Sequence, residues 1–127
     1  MEVERELVLD APPDEVWDAL TEPERLEEWF ANDVDLDLER GDGRFRWENG
    51  ECRRAQVDEV VPGRRLCLRW WDEERPGEGV TAVSFTLVEI PAGTRLLVRE
   101  ATVGPTACAG EWFWAIRLRA ASLAVAA

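Results

Sequence analysis

The sequence predicts an α+β domain of two layers. A curved antiparallel sheet of about seven strands carries a long C-terminal helix on one face, and two short helices follow the first strand. Three observations predict it. Apolar and polar residues alternate in short runs from residue 3 to residue 102, so each run has one apolar side. Turn residues such as Gly41-Asp42-Gly43, Asn49-Gly50, Pro62-Gly63 and Pro76-Gly77 separate the runs. Residues 106–126 are Ala-rich and free of proline, enough for a helix of roughly 30 Å at ~1.5 Å per residue. Strands apolar on one side only need a single covering layer, and this helix supplies it.

The first strand is expected over residues 3–9, with Val3, Leu7 and Leu9 on its buried side. Pro12 and Pro13 end strand pairing and open a helix, because the first helical turn does not need their missing N–H groups. Asp14 and Glu15 place negative charge at the positive end of that helix, and Val16, Trp17 and Leu20 form its apolar face. Thr21-Glu22-Pro23-Glu24 has the form of a capping box with proline in the first turn, so a second helix starts at once. Leu26, Trp29 and Phe30 are its buried stripe.

Asp33 to Leu38 then alternates strictly, with Val34, Leu36 and Leu38 on one face, and Phe45 and Trp47 share a face in the next strand. Asn49-Gly50 reads as a two-residue hairpin turn. The strand after it, over residues 51–61, places Arg53, Ala55, Val57, Glu59 and Val61 together. Leu66, Leu68 and Trp70 point inward from residues 65–71, and Cys67, Arg69 and Trp71 point away. Val83, Phe85 and Leu87 share a face of the next strand, as do Leu96, Val98 and Glu100 of the last. On the helix over 106–126, Trp112, Ile116, Arg119 and Leu123 form one stripe.

Composition narrows the function classes. With 127 residues, residues 1–127 are expected to form one domain. No apolar run approaches the ~18 residues of a membrane span, and no basic-then-apolar leader opens the chain, so a cytoplasmic protein is expected. Net charge is −12 and every base is arginine, which argues against nucleic acid as a partner. Histidine, lysine and tyrosine are absent, which removes the common general base, the Schiff-base amine and the phenolic acid, and weighs against an enzyme. Cys52, Cys67 and Cys108 have no C-x-x-C spacing and no histidine to complete a zinc set. They read as buried free thiols, and neither metal nor cofactor is expected.

Val8 to Phe30, VLDAPPDEVWDALTEPERLEEWF, resembles the opening of the SRPBCC (START-like) superfamily, and within it the heat-shock protein 90 ATPase activator homologues. The matching residues are Ala11, Pro12, Val16, Trp17, Ala19, Leu20, Thr21, Pro23, Leu26, Trp29 and Phe30. Weaker matches are Val57-Asp58-Glu59-Val60-Val61-Pro62, Arg65-Leu66 and Thr94-Arg95-Leu96. Members often carry a histidine and Gly-Phe near the end of the last strand, where this chain has Arg99-Glu100-Ala101-Thr102-Val103. The resemblance implies a helix-grip fold, with a cavity between the concave face of the sheet and the C-terminal helix.

The resemblance also implies binding of an apolar or aromatic small molecule, lipid- or polyketide-like, in that cavity. Trp29, Phe30, Phe45, Trp47, Trp70, Phe85 and Trp112 are directed toward it, with Val57, Val98 and Ile116 among them. These rings either fill the space or line it. Glu100 and Arg53 are the candidate polar anchors. Glu100 is inward by alternation, unless the strand end or a bulge returns it to water. Arg53 either faces inward, to pair with Glu100 or an anionic group, or stays solvated beyond its hairpin. Two other classes stand beside ligand binding. One is a chaperone or protein-interaction module, for which Trp71 on the opposite face is the visible candidate. The other is a cyclase- or hydrolase-type cavity enzyme using the Glu100 carboxylate.

Overall fold

The computed structural model describes residues 2–103. β1 (Glu2–Leu9) leads into α1 (Pro13–Thr21) and α2 (Pro23–Trp29). Six strands follow: β2 (Asp33–Asp37), β3 (Asp42–Arg46), β4 (Cys52–Val61), β5 (Arg65–Asp72), β6 (Thr81–Ile90) and β7 (Gly93–Thr102). The expected C-terminal helix over 106–126, with Cys108, Trp112, Ile116, Arg119 and Leu123, lies outside the described residues.

All seven strands form one antiparallel sheet in the order β1-β7-β6-β5-β4-β3-β2. Consecutive strands from β2 to β7 pair as hairpins, and β1 closes the order by pairing with β7, Leu7 opposite Leu96 and Val3 opposite Glu100. β1 and β2 are therefore the two edges of the sheet. Residues 10–32 must carry the chain from one edge to the other, and they do so as a bent helix pair, α1 against β6 and β7 and α2 against β2. Pro12 is the N-cap of α1, and Asp14 and Glu15 lie in its first turn.

The inner face is the apolar one. Val34, Leu36, Phe45, Ala55, Leu66, Leu68, Trp70, Val83, Phe85, Leu87, Leu96 and Val98 are buried from the sheet side, and Val16, Ala19, Leu20, Leu26 and Phe30 from the helices. In β1, Val3 and Leu7 are half-buried and Leu9 is buried.

Three local expectations are corrected. Strict alternation put Glu59 and Val61 inward, but β4 carries a bulge between Val57 and Glu59. The extra residue exchanges the faces beyond it, so Val60 packs on the core and Glu59 and Val61 are exposed. At Asn49-Gly50 only Gly50 has positive φ, +91°. The Gly50 N–H donates to Trp47 O and the Trp47 N–H to Glu51 O, which makes a three-residue loop closed by glycine instead of a two-residue turn. The capping box at Thr21 does not form. Thr21 Oγ1 donates back to Trp17 O at 2.8 Å, and Glu22 is the N-cap of α2 without a side-chain cap.

The β6–β7 hairpin meets the exit of β1 at close range. Gly93 has φ +137°, and a Cβ there would lie 2.1 Å from Leu9 O and 2.9 Å from Ala11 N. The next residue, Thr94, is fully buried, and its Oγ1 donates to Ala11 O at 2.7 Å. Gly93→Ala combines an unfavourable backbone region with a backbone clash. We expect it to lower stability by more than about 2 kcal/mol, read as a fall in the urea midpoint. An unchanged midpoint would show that the joint tolerates a side chain.

Candidate functional site

The inner face has two regions of different character. Toward β2, β3 and α2 it is aromatic. Phe30, the C-cap of α2, meets Phe45, Trp47 and Trp70 with ring centroids 5.6, 5.4 and 5.8 Å away, and Phe45 meets Trp70 edge-on at 6.1 Å. Phe30, Phe45 and Trp70 are at most 2% exposed and Trp47 7%. These rings pack on one another, which is the geometry of interlocked aromatic side chains.

Their polar edges are used for construction. Trp47 Nε1 donates to Phe30 O at 2.8 Å, tying the β3–β4 hairpin to the end of α2. Trp29 is half-buried, and its Nε1 donates to Ala19 O at 3.0 Å, bracing α2 on α1. Glu27 accepts the Val34 N–H and Asn32 the Glu48 N–H, anchoring the same corner.

Arg53 is half-buried and sits opposite Phe45 in the β3–β4 pairing. Its guanidinium carbon lies 4.8 Å from the centroid of the Trp70 ring, a cation–π contact, and its Nε is 3.4 Å from Glu51 Oε1.

Toward β1, β6 and β7 the inner face is aliphatic with a polar centre. Phe85 and Val98 are opposite one another, and the next pair along is Val83 and Glu100. That row continues to Leu68 and Val57 on one side and to Val3 on the other. Val57 is half-buried and packs against the core. Glu100 is 2% exposed, in a regular stretch of β7, so neither a bulge nor the strand end returns it to water. Burying a carboxylate takes it out of water, so it needs polar partners to remain charged.

The neighbouring row holds a residue that sequence reasoning passed over. Thr81 opposes Thr102 in β6–β7 and Trp70 in β5–β6, and it is 8% exposed. Among the described residues its Oγ1 has no hydrogen-bond partner. Threonine is common in strands as a β-former, so only its inward register could have marked it.

On the outer face Trp71 is half-buried beside Arg54, its partner in the β4–β5 pairing, and lines a groove with Arg40, Gly41 and Gln56. Arg54 and Arg44 both reach Glu73, at 3.1 and 3.0 Å. The hydrogen bond from Arg44 is the main cause holding the Glu73 carboxyl below the usual carboxylate range. Cys52 and Cys67 are free and half-buried, less enclosed than the sequence suggested. Burial pushes the Cys67 thiol up, which keeps it protonated and a poor nucleophile. Among the described residues, no helix is long and apolar enough to cross a membrane, and no group of three His, Cys, Asp or Glu side chains is placed to hold a metal.

The fold is shared with solved structures. Protein MLL2253 from Mesorhizobium loti is 28% identical, with 83% of this chain and 79% of that chain covered and a TM-score of 0.73. DynU16, a protein in the dynemicin biosynthetic locus, is 26% identical with a TM-score of 0.75, covering 98% of this chain and 45% of that longer one. The Aha1 dimer from Colwellia psychrerythraea, 19% identical with 98% and 96% covered and a TM-score of 0.76, is a likeness of fold alone. No curated protein matches the chain with significance. The family model described as activator of Hsp90 ATPase homolog 1-like protein matches residues 10–112, from the end of β1 to beyond the end of β7. Because that match takes in both helices and six of the seven strands that build the inner face, this chain belongs to the activator of Hsp90 ATPase homolog 1-like family.

Proposed function

We propose that this protein binds an apolar or aromatic small molecule against the β1–β7–β6 region of the inner face, with Glu100 as the polar anchor. The observation that carries the reading is Glu100, 2% exposed in a row of Val3, Val83 and Leu68. A carboxylate held inside an apolar face is desolvated and strengthens every polar contact made to it, which suits it to recognition or chemistry. Val57, Phe85 and Val98 supply apolar wall beside it. Residues 1–127 form one domain in this reading.

The aromatic group divides differently. Phe30, Phe45, Trp47 and Trp70 stack on each other and serve as the closed end of the site, and Trp29 braces the helices. Arg53, spread over Trp70, closes the rim on that side. DynU16, from a biosynthetic locus, is consistent with small-molecule handling on this fold, although a fold alone does not fix function.

A second reading rests on Trp71. A half-buried tryptophan between Arg40 and Arg54 on the face opposite the core suits a protein partner, since tryptophan and arginine dominate interface energetics.

Titration of the full chain with N-phenyl-1-naphthylamine tests the first reading, following probe emission and tryptophan quenching. Saturable one-to-one binding is expected. Glu100→Gln should weaken it about tenfold, as loss of a charge-assisted hydrogen bond does. Absence of saturation in the folded wild type would sink the reading. For the second, Trp71→Ser should leave probe binding intact and abolish co-purification of any specific partner. A partner retained by that variant would remove Trp71 from consideration.

A further inference from the structure

We infer that Thr81 is a specificity residue, and that with Glu100 it selects an apolar ligand bearing a hydroxyl group. The inference rests on the cavity reading above and names the chemistry of its ligand. Thr81 is more than nine-tenths buried, and its Oγ1 has no hydrogen-bond partner among the described residues. Buried hydroxyls are nearly always bonded, so an orphan one on an inner face is matched to something that arrives.

Its position says what arrives. Thr81 pairs with Thr102 and Glu100 pairs with Val83, so Thr81 and Glu100 are diagonal neighbours across β6 and β7, on the same face. Diagonal positions are about 7–8 Å apart at the backbone. At that spacing a single ligand oxygen can bridge the two side chains at hydrogen-bonding distance, ~2.7–2.8 Å for O–H···O.

A hydroxyl suits both ends. Its proton donates to a Glu100 oxygen, and a carboxylate has about four lone-pair sites, so it can accept this bond along with others. Its lone pair accepts the Thr81 O–H. A ketone could serve Thr81 only, and a hydrocarbon neither. The surrounding wall, Val3, Val83, Leu68 and Trp70, is apolar and fits the rest of a ring system.

Equilibrium dialysis of the full chain against 1-naphthol and naphthalene tests this, because the two probes differ by one hydroxyl. The wild type should prefer 1-naphthol about tenfold or more. Thr81→Val, nearly isosteric, should cut that preference at least about fivefold with naphthalene affinity unchanged, and Thr81→Ser should retain it. Thr81→Val should also raise the melting temperature of the free protein, since it removes an unsatisfied buried hydroxyl. Naphthalene binding with no preference for 1-naphthol, or a preference untouched in Thr81→Val, would overturn the inference and leave the cavity reading standing. A lower melting temperature in Thr81→Val would mean that ordered water already satisfies the hydroxyl, and would also overturn it. If neither probe binds the folded wild type, the cavity reading fails and this inference with it.

Discussion

The inner face of this sheet is organised by one joint, where Thr94 Oγ1 donates to the carbonyl of Ala11 across 83 residues of sequence. Every other strand pairing from β2 to β7 is a local hairpin, so the order could assemble as a simple meander. The first strand is different. It has to find the last, and the bonding of Ala11 to Thr94 fixes where β1 stops and where α1 starts. Gly93 makes the approach possible, because no side chain fits between its Cα and the Leu9 carbonyl. Pro12 and Pro13 then release the chain from strand geometry at once, so α1 sets out over β6 and β7 instead of extending the edge. Without that joint the helix pair would have no fixed start.

The two regions of the inner face follow from opposite energetics. At the aromatic end, each ring pair adds roughly 0.5–1.5 kcal/mol beyond the burial of its area, and the indole N–H groups of Trp29 and Trp47 are satisfied by backbone carbonyls. That end is internally consistent and explains stability. At the other end, Thr81 works against stability, by about 1–3 kcal/mol for an unsatisfied buried hydroxyl. Folds carry such groups where recognition requires them. In the proposed reading this division places rigidity beside the site and polarity within it, the arrangement a preorganised binding site needs.

Much of this was legible in the sequence because period-two alternation is a direct consequence of strand geometry. It identified Val34, Leu36, Phe45, Trp47, Leu66, Leu68 and Trp70 as inward, and all are buried, as is Glu100, for which alternation left an outward placement open. It failed at Glu59 and Val61, since a bulge inserts one residue without a composition signal and reverses every face beyond it. Arg53 was legible as a candidate but its contact was not. Its charge lies over Trp70 and against Glu51, and both contacts depend on the β3–β4 hairpin turning through three residues. Thr81 was illegible for a different reason. Its residue type is unremarkable in a strand, and only the β5–β6–β7 register reveals that it shares a face with Glu100.

The outer face bears on function by what its charges prevent. Glu2, Glu4 and Glu6 alternate along one edge strand, and Asp33, Asp35 and Asp37 along the other. Arg99 and Arg95 bind the first set, and Arg46 and Arg40 bind Asp33 and Asp35 of the second, all in exposed ion pairs. Such pairs add at most about 1 kcal/mol each. Their effect is on association. Two copies meeting at like edges would bring rows of carboxylates together and strip the arginines of solvent, a common device against edge-to-edge pairing. Edge addition of a strand is therefore disfavoured at both ends of the sheet. Among the described residues, the proposed recognition surfaces, the polar part of the inner face and the Trp71 groove, are places where this charge pattern gives way to buried or half-buried side chains.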